Sequence, residues 1–158
     1  MKKESGLGML GAVIAVIVIV VIIAIGITIA NNSSDKSKDI DIKSDMVLIQ
    51  GKVKLLKKES IAKADDSLIV GANLNQTGSD FIVNYFKTLG IIDEADYDKY
   101  YRIDDEALEV MKLDIKNQPE SLYLANYETG EVIITKGFNG MYKLSDILKA
   151  DEEENSKE

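Results

Sequence analysis

The feature that most constrains the fold is an uncharged, apolar run at residues 7–30. This run is 24 residues long and consists mostly of Val, Ile, Ala and Leu. As an α-helix it would rise about 36 Å, enough to cross a hydrocarbon core of roughly 30 Å. It is longer than the apolar region of a cleaved secretory signal, and it lacks the polar face of a helix in a soluble domain. We therefore predict a transmembrane helix over residues 7–30.

The charges that flank this run predict its orientation. Lys2 and Lys3 precede it with only Glu4 to offset them, whereas a mixed set of Lys and Asp follows it. Because basic residues favour the cytoplasmic side, we expect a single-pass protein of the cell membrane. Its N-terminus, with residues 1–6 as a short basic leader, would be cytoplasmic, and its C-terminal domain would be extracytoplasmic.

The remainder of the chain predicts one small α+β head domain. We expect a polar hinge at residues 31–44, the head at residues 45–150 and an acidic, disordered tail at residues 151–158. Apolar residues at helical spacing predict a helix over residues 45–64. These residues are Met46, Ile49, Val53, Leu56 and Ala64. Residues 52–55 alternate between Lys and apolar residues, which also suits a short strand, and we favour the helix.

Short helices are predicted at three further places. Ser79 and Asp80 are typical of a helix N-cap, which predicts a helix over residues 81–89 that Gly90 closes. Acidic residues at 93–96 and at 104–108 occupy what would be first helical turns.

Strands are predicted mainly in the C-terminal third. Residues 100–103 have strand chemistry, and two β-prone runs flank a turn over residues 123–135, which indicates an antiparallel hairpin. Asn139-Gly140 predicts a second turn into a third short strand. Ser145 and Asp146 are expected to cap a last helical turn.

The composition argues against catalysis. The chain has no Cys and no His, so it has neither a thiolate nucleophile nor an imidazole base. No spacing of Ser, Lys or carboxylates indicates another mechanism. The acidic run at residues 93–98 lacks the Gly and Glu of an EF-hand loop. We predict a non-enzymatic protein with no catalytic, cofactor-binding or metal-binding residue.

Charge and aromatic residues give two further predictions. The first thirty residues carry a net charge of +1 against −8 for the whole chain, so residues 31–158 carry −9 and are not expected to bind nucleic acid. The lysines at 52–63 are interpreted as a solvated helix surface. The late tyrosines are interpreted mainly as packing residues, with a ligand surface as the alternative. They are Tyr97, Tyr100, Tyr101, Tyr123, Tyr127 and Tyr142.

The order of these segments resembles that of type IV pilin-like proteins, including the pseudopilins of type II secretion and competence systems. A basic leader that ends in Gly6, an apolar helix, a polar hinge and an α+β head follow one another. Residues 126–132, 136–138 and 142–146 resemble the heads of Firmicutes pilin-like proteins. The layout spans the whole chain, whereas the specific motifs cover only its two ends.

The resemblance implies a set of site residues and partners. A prepilin peptidase would cut between Gly6 and Leu7, and the new N-terminal helix would pack against other pilin-like subunits in the membrane lipid with the help of assembly machinery. The family carries Glu at the fifth mature position, where this chain has Gly11. Gly8 and Gly11 are expected to let membrane helices approach closely.

The implied function is that of a subunit that assembles through its helix in a type IV pilus or a type II secretion-like system. The alternative is a stand-alone, single-pass protein of the bacterial cell surface whose head binds a ligand or a protein.

Overall fold

A computed structural model describes residues 35–75, 84–86, 88–115 and 121–156. The chain divides into two compact units, Met1–Ser44 and Asp45–Glu158. The helices are α1 (Asp35–Lys63), α2 (Asp105–Val110) and α3 (Leu144–Asn155), with two 3-10 helices at Asp66–Leu68 and Glu94–Lys99. The strands are β1 (Ala72–Asn73), β2 (Tyr100–Ile103), β3 (Tyr123–Asn126), β4 (Val132–Phe138) and β5 (Met141–Lys143). The predicted α+β class is confirmed.

Helix α1 follows from the predicted apolar spacing but begins earlier than predicted. Met46, Ile49 and Val53 are fully buried, which confirms that they share one packing face. Residues 35–44 belong to this helix, so that part of the predicted polar hinge is helical. Those ten residues contain neither Gly nor Pro, the residues that most strongly disfavour a helix interior.

The far end of α1 also differs from the prediction. Ala64 does not lie on the packing face; it is exposed and has a left-handed φ of 50°. Its N–H bonds to the carbonyl of Ile61, and the N–H of Asp65 bonds to the carbonyl of Ser60. These two bonds form the Schellman motif that ends many helices, usually with Gly in the position that Ala64 takes here.

The strands form one antiparallel sheet in sequence order from β1 to β5. The predicted hairpin is confirmed as β3 and β4, in which Tyr123 pairs with Ile134 and Ala125 pairs with Val132. The predicted strand at residues 100–103 is β2, and the strand after Asn139-Gly140 is β5. Strand β1 was not predicted, because two residues are too few for a periodic pattern.

The central strand β3 is buried on both sides. Leu124 and Ile133 lie on one face of the sheet in a cluster that includes Phe86, Tyr97 and Tyr100. Tyr123 lies on the opposite face, where its hydroxyl meets Asp45 of α1. Within the second unit, the part of α1 that begins at Asp45 therefore contacts one face of the sheet, and Leu74, Phe86, Ile92 and Tyr97 pack on the other.

The short helices agree in part with the sequence. Asp104 caps α2, since its carboxylate accepts a hydrogen bond from the N–H of Ala107 at 3.1 Å. The acidic residues at 93–96 lead into a 3-10 helix with Asp93 at its N-cap. Residues 84–86 and 88 are helical, and Gly90 has the positive φ of 65° expected after a helix. The predicted caps Ser79 and Asp80 lie outside the described residues.

Helix α3 corrects two predictions. It extends through Asn155, so residues 151–155 are helical and do not form a disordered tail. Buried Leu144 and Ile147 anchor its first turns, and the Glu residues that follow are good helix formers. Ser145 and Asp146 do not cap it, because Lys143 occupies the N-cap and makes no side-chain cap.

Glu131, on the hairpin, supplies the missing cap. One oxygen of its carboxylate accepts hydrogen bonds from the N–H of Val132 at 3.2 Å and from the N–H of Ser145 at 3.1 Å. This places a negative charge at the N-terminus of α3, where the helix dipole favours it. The carboxylate therefore ties the β3–β4 hairpin to the last helix.

We expect Glu131→Ala to lower the free energy of unfolding by about 1–2 kcal/mol, because it leaves the first turn of α3 without its acceptor. Urea denaturation measures the change. Glu128→Ala is the matched control: its carboxylate is 57% exposed and 3.6 Å from Lys99, so its loss should cost no more than about 1 kcal/mol. Equal effects of the two substitutions would contradict a capping role for Glu131.

No helix in the described part of the chain combines the length and the apolar character needed to cross a membrane. The predicted transmembrane helix at residues 7–30 lies outside the described residues, as does the predicted leader at residues 1–6.

Candidate functional site

The residues predicted for processing and membrane packing fall outside the described part of the chain. Gly6 and Leu7, at the predicted cleavage site, and Gly8 and Gly11, at the predicted helix contact, all lie before residue 35. The described residues bring together three other groups instead: the contact of α1 with the hairpin, a tyrosine that holds residue 70, and a shallow aromatic pocket.

Polar side chains of α1 that lie beside the buried residues Met46, Ile49 and Val53 contact the β3–β4 hairpin. The hydroxyl of Tyr123 donates to the carboxylate of Asp45 at 3.3 Å, and the side-chain amide of Gln50 donates to the carbonyl of Gly130 at 2.9 Å. Gly130 has a positive φ of 75°, and a side chain there would meet that of Lys54. The absence of a side chain at Gly130 thus lets the turn approach the helix.

Burial and the neighbouring carboxylate act on Tyr123 in the same direction. Loss of solvent around its ring raises the pKa of the Tyr123 hydroxyl well above its usual range, and the charge of Asp45 raises this pKa further. The phenol is therefore neutral under ordinary conditions and remains able to donate its hydrogen bond to Asp45.

Tyr127 holds the segment that leads into β1. Its hydroxyl donates to the carbonyl of Val70 at 2.8 Å and accepts from the N–H of Val70 at 3.1 Å. Its ring meets that of Tyr101 edge to face, with centroids 5.2 Å apart. Burial raises the pKa of Tyr127 to about 12. One side chain thus satisfies both backbone groups of a residue 57 positions away.

We expect stability to fall when the pH rises from about 10 to about 12, since an unfolded tyrosine has a pKa near 10. Burial raises the pKa of both Tyr100 and Tyr127 to about 12. The fold therefore favours the neutral phenols, and their contribution is complete below the unfolded pKa and is lost as the pH passes the folded pKa. Urea denaturation at several alkaline pH values measures the loss.

Tyr127→Phe tests whether Tyr127 contributes to this loss of stability at alkaline pH. It should cost about 1–3 kcal/mol at neutral pH, because the N–H and carbonyl of Val70 lose their partner. It should also reduce the alkaline loss of stability. An alkaline loss as large as that of the unmodified protein would show that Tyr127 does not contribute to it.

The third group lines a shallow pocket of about 390 Å³ between residues 89–91 and β5. The ring of Tyr142 lies against Gly137, where a side chain would come within 3.0 Å of it. Phe86 meets the same ring edge to face, with centroids 5.7 Å apart. A hydrogen bond with Tyr85 raises the pKa of Tyr142. Tyr142 is thus fixed in position at the edge of the pocket.

Polar and exposed apolar groups share this pocket. Leu89 keeps 45% of its surface exposed, and Lys143 and Asp146 also line the pocket. Neither charged group has an ion pair with another of the described residues. A few polar groups around an aromatic wall are typical of a small-ligand site, although this one is shallow.

The tyrosines and the lysines agree with their sequence interpretations. Four of the six late tyrosines are buried, which confirms packing for Tyr97, Tyr100, Tyr123 and Tyr127. The lysines at 52–63 are half-buried or exposed, and Lys63 pairs with Glu59 at 3.7 Å along the helix. Among the described residues no group of three or more acidic side chains is arranged to hold a metal ion.

Sequence reasoning missed the roles of Glu131, Tyr127 and Gly137. Glu131 and Tyr127 each act on a residue that is distant in the sequence, and no periodic pattern marks such a pair. Gly137 had a weak signal, because an isolated Gly in a strand often marks a bulge. The register of β4 against β5 does shift between Ile133 and Phe138.

Comparisons with known proteins add no relative to these observations. The sequence matches no protein family, and neither a curated protein nor a solved structure matches it.

Proposed function

We propose that the chain is a non-enzymatic, membrane-anchored, pilin-like or pseudopilin subunit that acts by helix-mediated assembly in a type IV pilus or type II secretion-like system. The observation that supports the proposal most is the attachment of α1 within the second unit. A helix that carries the buried residues Met46, Ile49 and Val53 is hydrogen-bonded to the β3–β4 hairpin of the antiparallel sheet.

The polar contacts of α1 support the same proposal. Asp45 and Gln50 bind the β3–β4 hairpin through Tyr123 and Gly130. A subunit that is moved or anchored through its N-terminal helix needs that helix to be joined firmly to its head, so that a load on the helix reaches the head. The apolar run at residues 7–30 precedes α1 in the sequence and would provide the packing surface in the membrane.

The proposal assigns partners to the apolar run. Residues 7–30 would lie in membrane lipid and contact other pilin-like subunits, with Gly8 and Gly11 at the closest approach. Gly11 takes the place of a glutamate, so the buried pair between that carboxylate and a neighbouring N-terminal amine is missing. A minor subunit, present in few copies, fits this sequence best.

N-terminal mass spectrometry of the full chain, expressed in a host with a prepilin peptidase, tests the proposal. We expect the mature protein to begin at Leu7. We also expect the uncut form of Gly6→Val to accumulate, because the peptidase recognises the residue before the bond that it cuts. Gly11→Val, the control, should be cut as efficiently as the unmodified chain. A surface-exposed protein that keeps residues 1–6 would contradict the proposal.

The same experiment addresses the second candidate, a stand-alone, single-pass surface protein whose head binds a ligand. The pocket beside Tyr142 favours this candidate, since its ring is held in place and its charged neighbours are unpaired among the described residues. Under this function the N-terminal lysines persist in the mature protein, whatever peptidase is present.

A further inference from the structure

The turn between β4 and β5 contains the sole Asn-Gly pair of the chain, Asn139-Gly140. Both residues are exposed, and their φ angles are 49° and 78°. Two successive positive φ angles are the signature of the type I′ turn, which joins strands in tight hairpins. A left-handed φ costs free energy for any residue that has a Cβ, so Asn139 is held in a less favourable conformation than Gly140.

We propose that Asn139 is a site of spontaneous covalent modification, in which its side-chain amide is lost through a cyclic imide. The backbone nitrogen of Gly140 gives up its proton to solvent base and attacks Cγ of Asn139. A C–N bond forms, the bond from Cγ to Nδ2 breaks, and ammonia leaves with a proton from water. Water then opens the ring at either carbonyl, which leaves aspartate or isoaspartate at position 139.

The surroundings of the turn leave both reacting groups accessible. Within the described part of the chain, neither the side-chain amide of Asn139 nor the N–H of Gly140 has a hydrogen-bond partner. Apart from Gly140 and its two chain neighbours, no residue has an atom within 4 Å of the place where a Cβ of Gly140 would stand. The attacking nitrogen therefore has no backbone bond to break, and no residue beyond the neighbours of Gly140 crowds the carbon to which it is attached.

Two other asparagines of the same molecule are protected from this reaction by hydrogen bonds. Asn126 is buried, and its side-chain oxygen accepts hydrogen bonds from the N–H groups of Glu128 at 2.9 Å and Thr129 at 3.1 Å. The amide of Asn73 donates to the carbonyl of Asp98 at 2.6 Å. Both side chains must leave their partners before a backbone nitrogen can reach them.

The modification would alter the pocket. Isoaspartate adds a main-chain carbon to a two-residue turn that fixes the pairing of Phe138 with Met141. Met141 and Tyr142 begin the strand that lines the pocket, and Lys143 follows them. A longer turn therefore shifts the ring of Tyr142, and either product adds a negative charge at the turn.

Peptide mapping by mass spectrometry tests the proposal on the full, folded chain after incubation in neutral buffer made with water enriched in heavy oxygen. We expect the label to enter Asn139 at least about tenfold faster than Asn126 or Asn73, because those two must first break hydrogen bonds and because Tyr127 and Leu74, which follow them, hinder the attacking nitrogen more than Gly140 does. Asn139→Gln should abolish labelling at this position, since the longer side chain closes a less favourable ring. The same chain unfolded in urea provides the intrinsic reactivity of each asparagine.

Two results would overturn the proposal. One is labelling of Asn139 in the unfolded chain but not in the folded chain, which would mean that the turn protects it. The other is labelling of Asn126 at the rate of Asn139 in the folded chain. Faster amide exchange of residues 141–143 in the aged protein than in the fresh protein would support the effect on the pocket, and unchanged exchange would contradict it.

Discussion

Replacing Ile49 with alanine is expected to lower the free energy of unfolding by about 2–5 kcal/mol. Ile49 is fully buried in the middle of the stripe that α1 places against the rest of the second unit, between Met46 and Val53. Truncation removes apolar atoms from the core and leaves a cavity, because a close-packed interior relaxes only in part around a deleted side chain. Urea denaturation followed by circular dichroism measures the change.

Lys58→Ala on the same helix is the control for this experiment. Lys58 is exposed, and alanine has at least as high a helix propensity as lysine, so its stability should change by no more than about 0.5 kcal/mol. If Ile49→Ala cost no more than Lys58→Ala, the stripe of Met46, Ile49 and Val53 would not be the packing face of α1. The proposal that the head is joined firmly to its helix would then lose its main support.

Features with a local cause were predictable from the sequence. The stripe on α1 follows from a 3.6-residue period, and the hairpin follows from two β-prone runs around a Gly-containing turn. The acidic residues at 104–108 predicted the start of α2, because the helix dipole favours negative charge in a first turn, and Asp104 caps this helix. In each case a few neighbouring residues carry the whole signal.

Features that depend on residues distant in the sequence were not predictable. Helix α3 takes its cap from Glu131 across 14 positions, so Ser145 and Asp146, which have the right chemistry, are not used as caps. Residues 151–155 stay helical because buried Leu144 and Ile147 nucleate the helix before them. Polar composition alone predicted disorder there, and tertiary anchoring overrides it.

The candidate sites also differ in whether a local sequence pattern predicts them. The prediction of Gly6, Leu7, Gly8 and Gly11 rests on a linear motif, and these residues lie outside the described part of the chain. The pocket beside Tyr142 forms where Gly137 and Phe86 hold the tyrosine ring next to the turn that contains Leu89. No local sequence pattern indicates that these residues come together. The two sites are therefore independent hypotheses, and each needs its own experiment.

Gly71→Ala is the second substitution for which we expect a large effect, a loss of about 2–4 kcal/mol in the free energy of unfolding. Gly71 has a φ of 105°, which residues with a Cβ rarely adopt. Its added Cβ would stand 2.7 Å from the carbonyl oxygen of Arg102 and 3.0 Å from a side-chain carbon of Ile103. A backbone carbonyl in the sheet cannot move aside as the end of a side chain can.

Gly90→Ala is the reference for a Cβ added in the left-handed region where the surrounding space is open. Gly90 also has a positive φ, 65°, but no residue other than its two chain neighbours has an atom within 4 Å of its Cβ position. That variant should therefore lose only the conformational cost of about 1–2 kcal/mol. Equal losses in both variants would mean that β1 yields to the new methyl group. We expect the larger loss at Gly71, because its φ lies outside the left-handed region that L-residues can reach and because its Cβ meets the carbonyl of Arg102, which is paired with Ala72.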